Sequence, residues 1–190
     1  MTTIWWVRHG PTHAKSMVGW SDIPADLSDT RALARLEAAL PRHAPILSSD
    51  LIRTRETADA LQGARMRLQD MPALREINFG AWELRSFAEV EAETPDLIRA
   101  YWEHPGDVRP PGGESWHEVC ARVDGAVDAL VQQHEGDLII VAHFGVIVTQ
   151  IQRALRIGAY EAFGHRIENL SLTRLRFDGQ WSADLINHIV

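Results

Sequence analysis

The run Leu-Ile-Ile-Val-Ala at positions 138–142 is the sequence feature that most restricts the fold. An unbroken apolar run of this length is typical of a strand that is covered on both faces. On either side of this run, in 115–131 and in 145–155, apolar residues recur with the spacing of a helix. Since helices must bury their apolar stripes against a sheet, this arrangement predicts a layered α/β domain.

The rest of the chain alternates in the same way. Further strands are expected at Thr3–Val7, Pro45–Ser48, Arg65–Gln69, Ser171–Phe177 and Ala183–Ile189, and further helices at Ser28–Leu40, Ser49–Leu61, Phe87–Glu93 and Pro95–His104. Ser28 is the expected cap of the first of these helices, and Ser115 with Glu118 forms a capping-box signature. We therefore expect a three-layer α/β/α sandwich with a central, mostly parallel sheet.

Length and composition bound the class of protein. The 190 residues suit one domain, 1–190, in which residues 77–114 carry few strand signals and are interpreted as a small cap lobe of helices and loops. The net charge of −7 argues against a surface built for nucleic acid. Cys120 is the only cysteine, which excludes an internal disulfide. No segment has the length and apolarity of a membrane span, so we expect a cytoplasmic protein without a membrane partner.

Two segments of similar design follow apolar strands. Val-Arg-His-Gly ends the first strand and places Arg8 and His9 at its end, and Val-Ala-His-Phe-Gly places His143 after the strand at 138–142. If these strands are parallel neighbours, the two histidines meet at one edge of the sheet. Arg53, in the first turn of the helix expected at Ser49–Leu61, would join Arg8 as a second cation that can form two parallel hydrogen bonds to an anion. Helix N-terminal amides near Gly145 would add to a site for an anion.

Five segments together resemble the histidine phosphatase superfamily, the phosphoglycerate-mutase-like proteins. They are RHG at 8–10, SSDLIRTRETA at 48–58, LREINFGAWE at 74–83, GGES at 112–115 and VAHFGVI at 141–147. They occur in the order of the family and extend over nearly the whole chain. The resemblance implies the phosphoglycerate-mutase-like fold and a phosphohistidine mechanism.

In that mechanism His9 is the nucleophile, and the resemblance implies that Arg8, Arg53 and His143 hold the phosphoryl oxygens. Glu76 matches the position of the general acid, and we prefer it to Glu83 and Glu114, which lie in the same region.

Phosphate or substrate contacts are also assigned to Thr12 and Phe144, with closure of the turn as the other role for the Thr12 hydroxyl. Neither a metal nor another cofactor is required, because arginine and imidazole supply the positive charge, and the scattered histidines show no metal-binding spacing.

Some positions depart from the pattern of the family. Pro11 stands where Glu or Gln is frequent, Lys15 where Asn is common, and Phe144 where a small residue is common. Lys15 is a candidate for the substrate pocket. Trp20, Phe79 and Trp82 are further candidates, with a role in the core beneath the cap lobe as the alternative.

These patterns predict a metal-independent phosphomonoesterase that acts on a small phosphorylated metabolite. The alternatives are a phosphoglycerate-type mutase, a protein-phosphohistidine phosphatase, and a non-catalytic relative that binds a phosphorylated ligand or a partner. The sequence does not decide whether the protein forms a homodimer. The modest cap and the similarity of LREINFGAWE to the same segment of broad-specificity and α-ribazole phosphatases favour hydrolysis.

Overall fold

One five-stranded sheet runs through the protein, in a computed structural model that describes all residues 1–190. The strands are β1 (Thr2–Arg8), β2 (Ile46–Ser48), β3 (Gly136–Ala142), β4 (Leu172–Phe177) and β5 (Trp181–His188), in the spatial order β2-β3-β1-β4-β5. β2, β3 and β1 are parallel, β4 is antiparallel to β1, and β5 is antiparallel to β4. The sheet is therefore mixed, with β4 alone running against the others, and the predicted α/β class is confirmed.

Seven helices accompany the sheet. They are α1 (Thr30–Ala39), α2 (Ile52–Gln62), α3 (Phe87–Glu93), α4 (Pro95–Glu103), α5 (Trp116–Gln133), α6 (Phe144–Leu155) and α7 (Ala159–Phe163). Short 3-10 turns occupy Pro72–Leu74 and Gly80–Trp82. Ser115 caps α5 in a reciprocal capping box with Glu118, as the sequence predicts.

Strand β3, which lies between β2 and β1, is covered on both faces. Leu138, Ile140 and Ala142 belong to one apolar cluster, which also contains the buried faces of α5 and α6. Ile139 and Val141 belong to a second cluster with residues of α1 and α2. Alternate side chains of one strand thus enter separate core layers, which is why the run at 138–142 is apolar throughout.

Three local predictions need correction. Arg65–Gln69 is not a strand, since Arg67 makes only an isolated bridge to Ile46 beside the three-residue β2. The cap of α1 is Asp29, whose carboxylate accepts the N–H of Ala32, and not Ser28.

The helix expected from Ser49 begins at Ile52, because Leu51 has extended backbone angles. The short helix α7 was not predicted.

The segment 77–114 contains α3 and α4. Its buried residues Val90, Ile98 and Tyr101 belong to the same apolar cluster as Ile4 and Ile140 of the central strands. The segment therefore packs onto the main core, and its designation as a separate cap lobe stays a prediction.

Truncation of Ile140 to alanine should lower the free energy of unfolding by about 2–5 kcal/mol, because the side chain is fully buried in the middle of β3 and leaves a cavity. Urea denaturation followed by circular dichroism measures the change. Ile189→Ala, at a residue that is 56% exposed, is the matched control and should change stability far less. Equal losses for the two variants would contradict the two-sided core.

Candidate active site

The two strand-end histidines lie side by side. β1 and β3 are parallel with Arg8 opposite Ala142, so the next residue of each strand emerges at the same edge of the sheet. The N–H of His9 donates to the carbonyl of Ala142 at 3.0 Å, and the ring centroids of His9 and His143 are 5.2 Å apart. Both side chains are buried. The parallel pairing inferred from the sequence therefore brings the two rings together.

His9 is held as a neutral ring with one defined free nitrogen. Its Nδ1 lies 2.7 Å from the carbonyl oxygen of Gly10, and because a carbonyl only accepts, Nδ1 carries the proton. Nε2 keeps its lone pair. Burial, followed by the charge of Arg53, lowers the pKa of His9 to about 3 against the raising effect of the bond to Gly10. The side chain thus presents an unprotonated Nε2 at neutral pH.

His143 is buried with one bonded and one unbonded nitrogen. Nε2 lies 2.8 Å from Oγ of Ser49, which lies 2.6 Å from Oγ1 of Thr54. Nδ1 is buried and has no hydrogen-bond partner. Burial and then the charge of Arg53 lower the pKa of His143 well below its usual value. A buried ring nitrogen without a hydrogen-bond partner lowers the stability of the fold. This cost indicates that Nδ1 of His143 is kept unbonded for a ligand.

Two arginines are fixed beside these rings. Arg53 is 1% exposed and donates from Nη2 to the carbonyl of Gly19 at 2.6 Å and from Nη1 to that of Ser21 at 2.9 Å. Arg8 donates from Nη1 to the carbonyl of Ile167, while its Nε is buried without a partner. Desolvation lowers the pKa of both guanidinium groups, which nevertheless remain charged. Both keep N–H donors for an anion.

Glu76 is the carboxylate of the site. It is 7% exposed, and its carboxylate accepts the N–H groups of Ile77 at 3.0 Å and of Gly145 at 3.0 and 3.2 Å. Burial raises its pKa, although these bonds and the two arginines oppose the shift. The amide of Gly145 was expected to face a bound anion, whereas it is bonded to the carboxylate of Glu76.

The other two candidate acids are engaged elsewhere. Glu114 pairs with Arg122 at 2.7 and 2.8 Å and accepts the N–H of Asn78. Glu83 binds backbone amides of the loop at 19–21. Glu76 is the one of the three whose carboxylate is bonded to the first turn of α6, through the N–H of Gly145, two residues after His143.

The remaining residues predicted to lie in the substrate pocket differ in how far they are exposed. Phe79 and Trp82 are 6% and 2% exposed and pack against Tyr101, which favours their alternative role in the core. Trp20 is 37% exposed, and its Nε1 donates to the carbonyl of Glu76 at 2.8 Å. Lys15 is exposed.

Phe144 and three residues of the turn after β1 complete the set. The ring of Phe144 lies 5.8 Å from the guanidinium carbon of Arg8. Thr12 is half-buried, and its hydroxyl makes no hydrogen bond that closes the turn. The carbonyl of Pro11 accepts the N–H of Asp26, whose carboxylate also bonds His13 at 2.8 Å. Pro11 and His13 therefore attach the turn to the segment before α1.

Four functional neighbours were missed. Ser49 bonds His143 and is itself bonded to Thr54. Thr57 accepts the N–H of Gly10 through Oγ1 at 3.0 Å, and Asn169 donates to the carbonyl of His9 at 2.9 Å. The hydroxyl residues lie inside the segment 48–58, where their spacing places Thr54 and Thr57 on one face of α2. Asn169 has no local sequence signal.

No three His, Cys, Asp or Glu side chains are grouped so that they could hold a metal ion. None of the helices has both the length and the apolar character needed to cross a lipid bilayer.

The arrangement of two arginines, two histidines and a buried carboxylate around one sheet edge is suited to phosphoryl transfer. The chain belongs to the histidine phosphatase superfamily (branch 1), whose family profile matches residues 4–188. The resemblance seen in the sequence is thereby confirmed.

Individual relatives carry names of phosphoryl-transfer enzymes. The chain is 30% identical over 187 residues, which are 95% of this chain and 88% of the relative, to the adenosylcobalamin/alpha-ribazole phosphatase of Salmonella typhimurium. It is 29% identical to a probable phosphoglycerate mutase, GpmB, of Proteus mirabilis, over 97% of this chain and 89% of that protein. The solved structure of a mycobacterial glucosyl-3-phosphoglycerate phosphatase matches with a TM-score of 0.85 at 26% identity, over 99% of each chain. The protein is therefore a phosphatase or phosphoryl-transfer enzyme.

Proposed function

We propose that the protein hydrolyses a small phosphomonoester through a phosphohistidine formed on His9. The observation that carries the proposal is the bond between Nδ1 of His9 and the carbonyl of Gly10, which leaves the lone pair of Nε2 free in a site with two arginines. A nucleophilic imidazole needs this neutral form with the other nitrogen held by an acceptor.

In the first step Nε2 of His9 forms a bond to phosphorus, while the bond from phosphorus to the alcohol oxygen breaks. Protonated Glu76 gives its proton to that oxygen, so the alcohol leaves neutral. In the second step the Glu76 carboxylate takes a proton from water, and the resulting hydroxide oxygen attacks phosphorus. The P–N bond breaks, and inorganic phosphate and neutral His9 are formed.

The charge of the transferring group is balanced by Arg8 and Arg53. Each has guanidinium donors that the protein does not use, and both are held rigidly by backbone carbonyls. Nδ1 of His143 is the remaining donor when Ser49 gives its hydroxyl proton to Nε2. Pre-oriented donors of this kind stabilise the equatorial oxygens of the transition state without a metal ion.

Transfer to a second alcohol is the alternative, and the similarity to a probable phosphoglycerate mutase favours it. A mutase uses the same phosphohistidine but passes the phosphoryl group to an acceptor before water enters. The similarity to the alpha-ribazole and glucosyl-3-phosphoglycerate phosphatases favours hydrolysis and a small-molecule substrate.

The proposal is tested by release of phosphate from p-nitrophenyl phosphate and from a panel of phosphorylated metabolites, with and without EDTA. We expect turnover that is unchanged by EDTA and inhibited by orthovanadate, which imitates the five-coordinate transition state. Loss of activity on chelation contradicts the metal-free mechanism. Phosphoryl transfer from a bisphosphate donor that exceeds phosphate release identifies the mutase alternative.

A further inference from the structure

The carboxylate of Glu83 gathers an unusual number of donors. Oε2 accepts the N–H groups of Gly19 at 3.1 Å and Ser21 at 3.2 Å, together with the hydroxyl of Ser21 at 2.6 Å. Oε1 accepts the N–H groups of Trp20 at 2.8 Å and Phe79 at 3.1 Å. Three consecutive amides of the loop 19–21 thus point at one side chain, which itself comes from the turn after Gly80–Trp82.

The other side of the same loop binds Arg53, which serves as a clamp for the phosphoryl group in the proposed mechanism. The carbonyls of Gly19 and Ser21 accept hydrogen bonds from Nη2 and Nη1 of Arg53, respectively. Between them, the indole of Trp20 donates to the carbonyl of Glu76, the general acid of the proposed mechanism. The loop therefore lies between Glu83, to which its amides are bonded, and Arg53, to which its carbonyls are bonded.

The contact between the loop and this region is close. A β-carbon on Gly19 would collide with the carbonyl of Ile77 and with the carboxylate of Glu83, so only glycine allows the approach. Asp22 adds a second anchor by accepting the N–H of Ile52 at the start of α2. The position of the loop is thus defined at both ends, and Glu83 supplies the bonds to its centre.

We propose that Glu83 is a positioning residue that acts through the loop 19–21 to set the orientation of the Arg53 guanidinium relative to Glu76. This inference rests on the proposed function for the roles of Arg53 and Glu76. Glu83 does not touch the reacting atoms. Its effect is to fix which donors of Arg53 are spent on carbonyls and which remain for the phosphoryl oxygens.

The test is Glu83→Gln, which keeps the size of the side chain but turns an amide NH2 toward backbone N–H groups. We expect KM for p-nitrophenyl phosphate and the Kd for inorganic phosphate to rise on the order of 10- to 100-fold, because a misplaced clamp weakens phosphate binding. Glu89→Gln is the matched control, since Glu89 also accepts an N–H and a hydroxyl, both from Ser86, but at an exposed helix start. Its KM and Kd should equal those of the wild type.

A double-mutant cycle separates positioning from general stability. In an Arg53→Ala background, Glu83→Gln should change the Kd for phosphate less than about two-fold, because the group through which it acts is gone. Full additivity of the two losses overturns the proposal, and so does a folded Glu83→Gln variant whose KM and Kd stay within two-fold of the wild type.

If Glu83→Gln does not fold, Ser21→Ala removes a single bond from the same carboxylate. A rise of roughly two- to ten-fold in the Kd for phosphate is then expected, and an unchanged Kd overturns the proposal. Calorimetric binding of phosphate does not require turnover. A wild type that binds phosphate but hydrolyses no ester therefore contradicts the proposed function while the role of Glu83 is still measured.

Discussion

Replacement of His9 by alanine is expected to lower kcat/KM for phosphomonoesters on the order of 1,000-fold or more, because the variant has no group that can take up the phosphoryl group. The site leaves no second ring nitrogen that is both unprotonated and unbonded when Ser49 donates to Nε2 of His143, because the proton of that ring is then on Nδ1. Nε2 of His143 is bonded to Ser49, whereas Nε2 of His9 is free. Steady-state assay with p-nitrophenyl phosphate measures the loss.

Rapid quenching with labelled substrate gives an independent readout for the same variant. The wild type should carry acid-labile, base-stable phosphate, and His9→Ala should carry none. His117→Ala is the control, since His117 is exposed on α5 and bonded to Asp107. A His9→Ala protein that is labelled as strongly as the wild type would place the nucleophile elsewhere.

Glu76→Gln should have the second largest effect, and its size should depend on the leaving group. For alkyl phosphates, whose alcohol must be protonated as it leaves, the loss is expected on the order of 100- to 10,000-fold. For p-nitrophenyl phosphate, which leaves as a stable anion, the loss should be below about 10-fold. Glu118→Gln, at the exposed start of α5, is the control. Equal losses on both substrates would contradict Glu76 as the acid.

The same variant tests the pH dependence. Burial raises the pKa of Glu76, so the acid stays protonated to higher pH than an exposed glutamate, and activity on alkyl phosphates should fall as pH rises through that pKa. On the acidic side His9 loses its lone pair only near its pKa of about 3. The ratio of wild-type to Glu76→Gln kcat/KM cancels titration of the substrate. This ratio should decrease toward high pH, and a flat ratio contradicts the assignment.

The sequence predicted the parts of the site that lie directly after apolar strands. His9 and His143 were paired correctly because β1 and β3 are both strongly apolar and parallel neighbours meet at one edge. The apolar run of β3 also predicted the two core layers. Such features depend on local pattern, and local pattern is what one sequence displays.

Other parts depend on contacts that no local pattern encodes. Asn169 bonds the carbonyl of His9 from the far end of the chain, and the amide of Gly145 is taken by Glu76 from the segment at 74–83. Phe79 and Trp82 could be assigned to the core only once Tyr101 was placed against them. The segment 65–69 alternates polar and apolar residues as a strand does, but its neighbour β2 is only three residues long and offers little to pair with.

The pairing of β1 with β3 has a consequence for how the protein acquires its activity. His9 lies in the first strand of the chain, while His143 follows a strand that begins at Gly136, so the two rings meet only after a parallel pairing of distant segments. Pairings of this kind close a long loop and form slowly compared with local helices. A refolding chain can therefore regain most of its helical signal while still inactive, and a ribosome-bound chain stays inactive until β3 and the start of α6 have emerged. Enzymatic activity thus reports the pairing of β1 with β3 rather than the formation of helices.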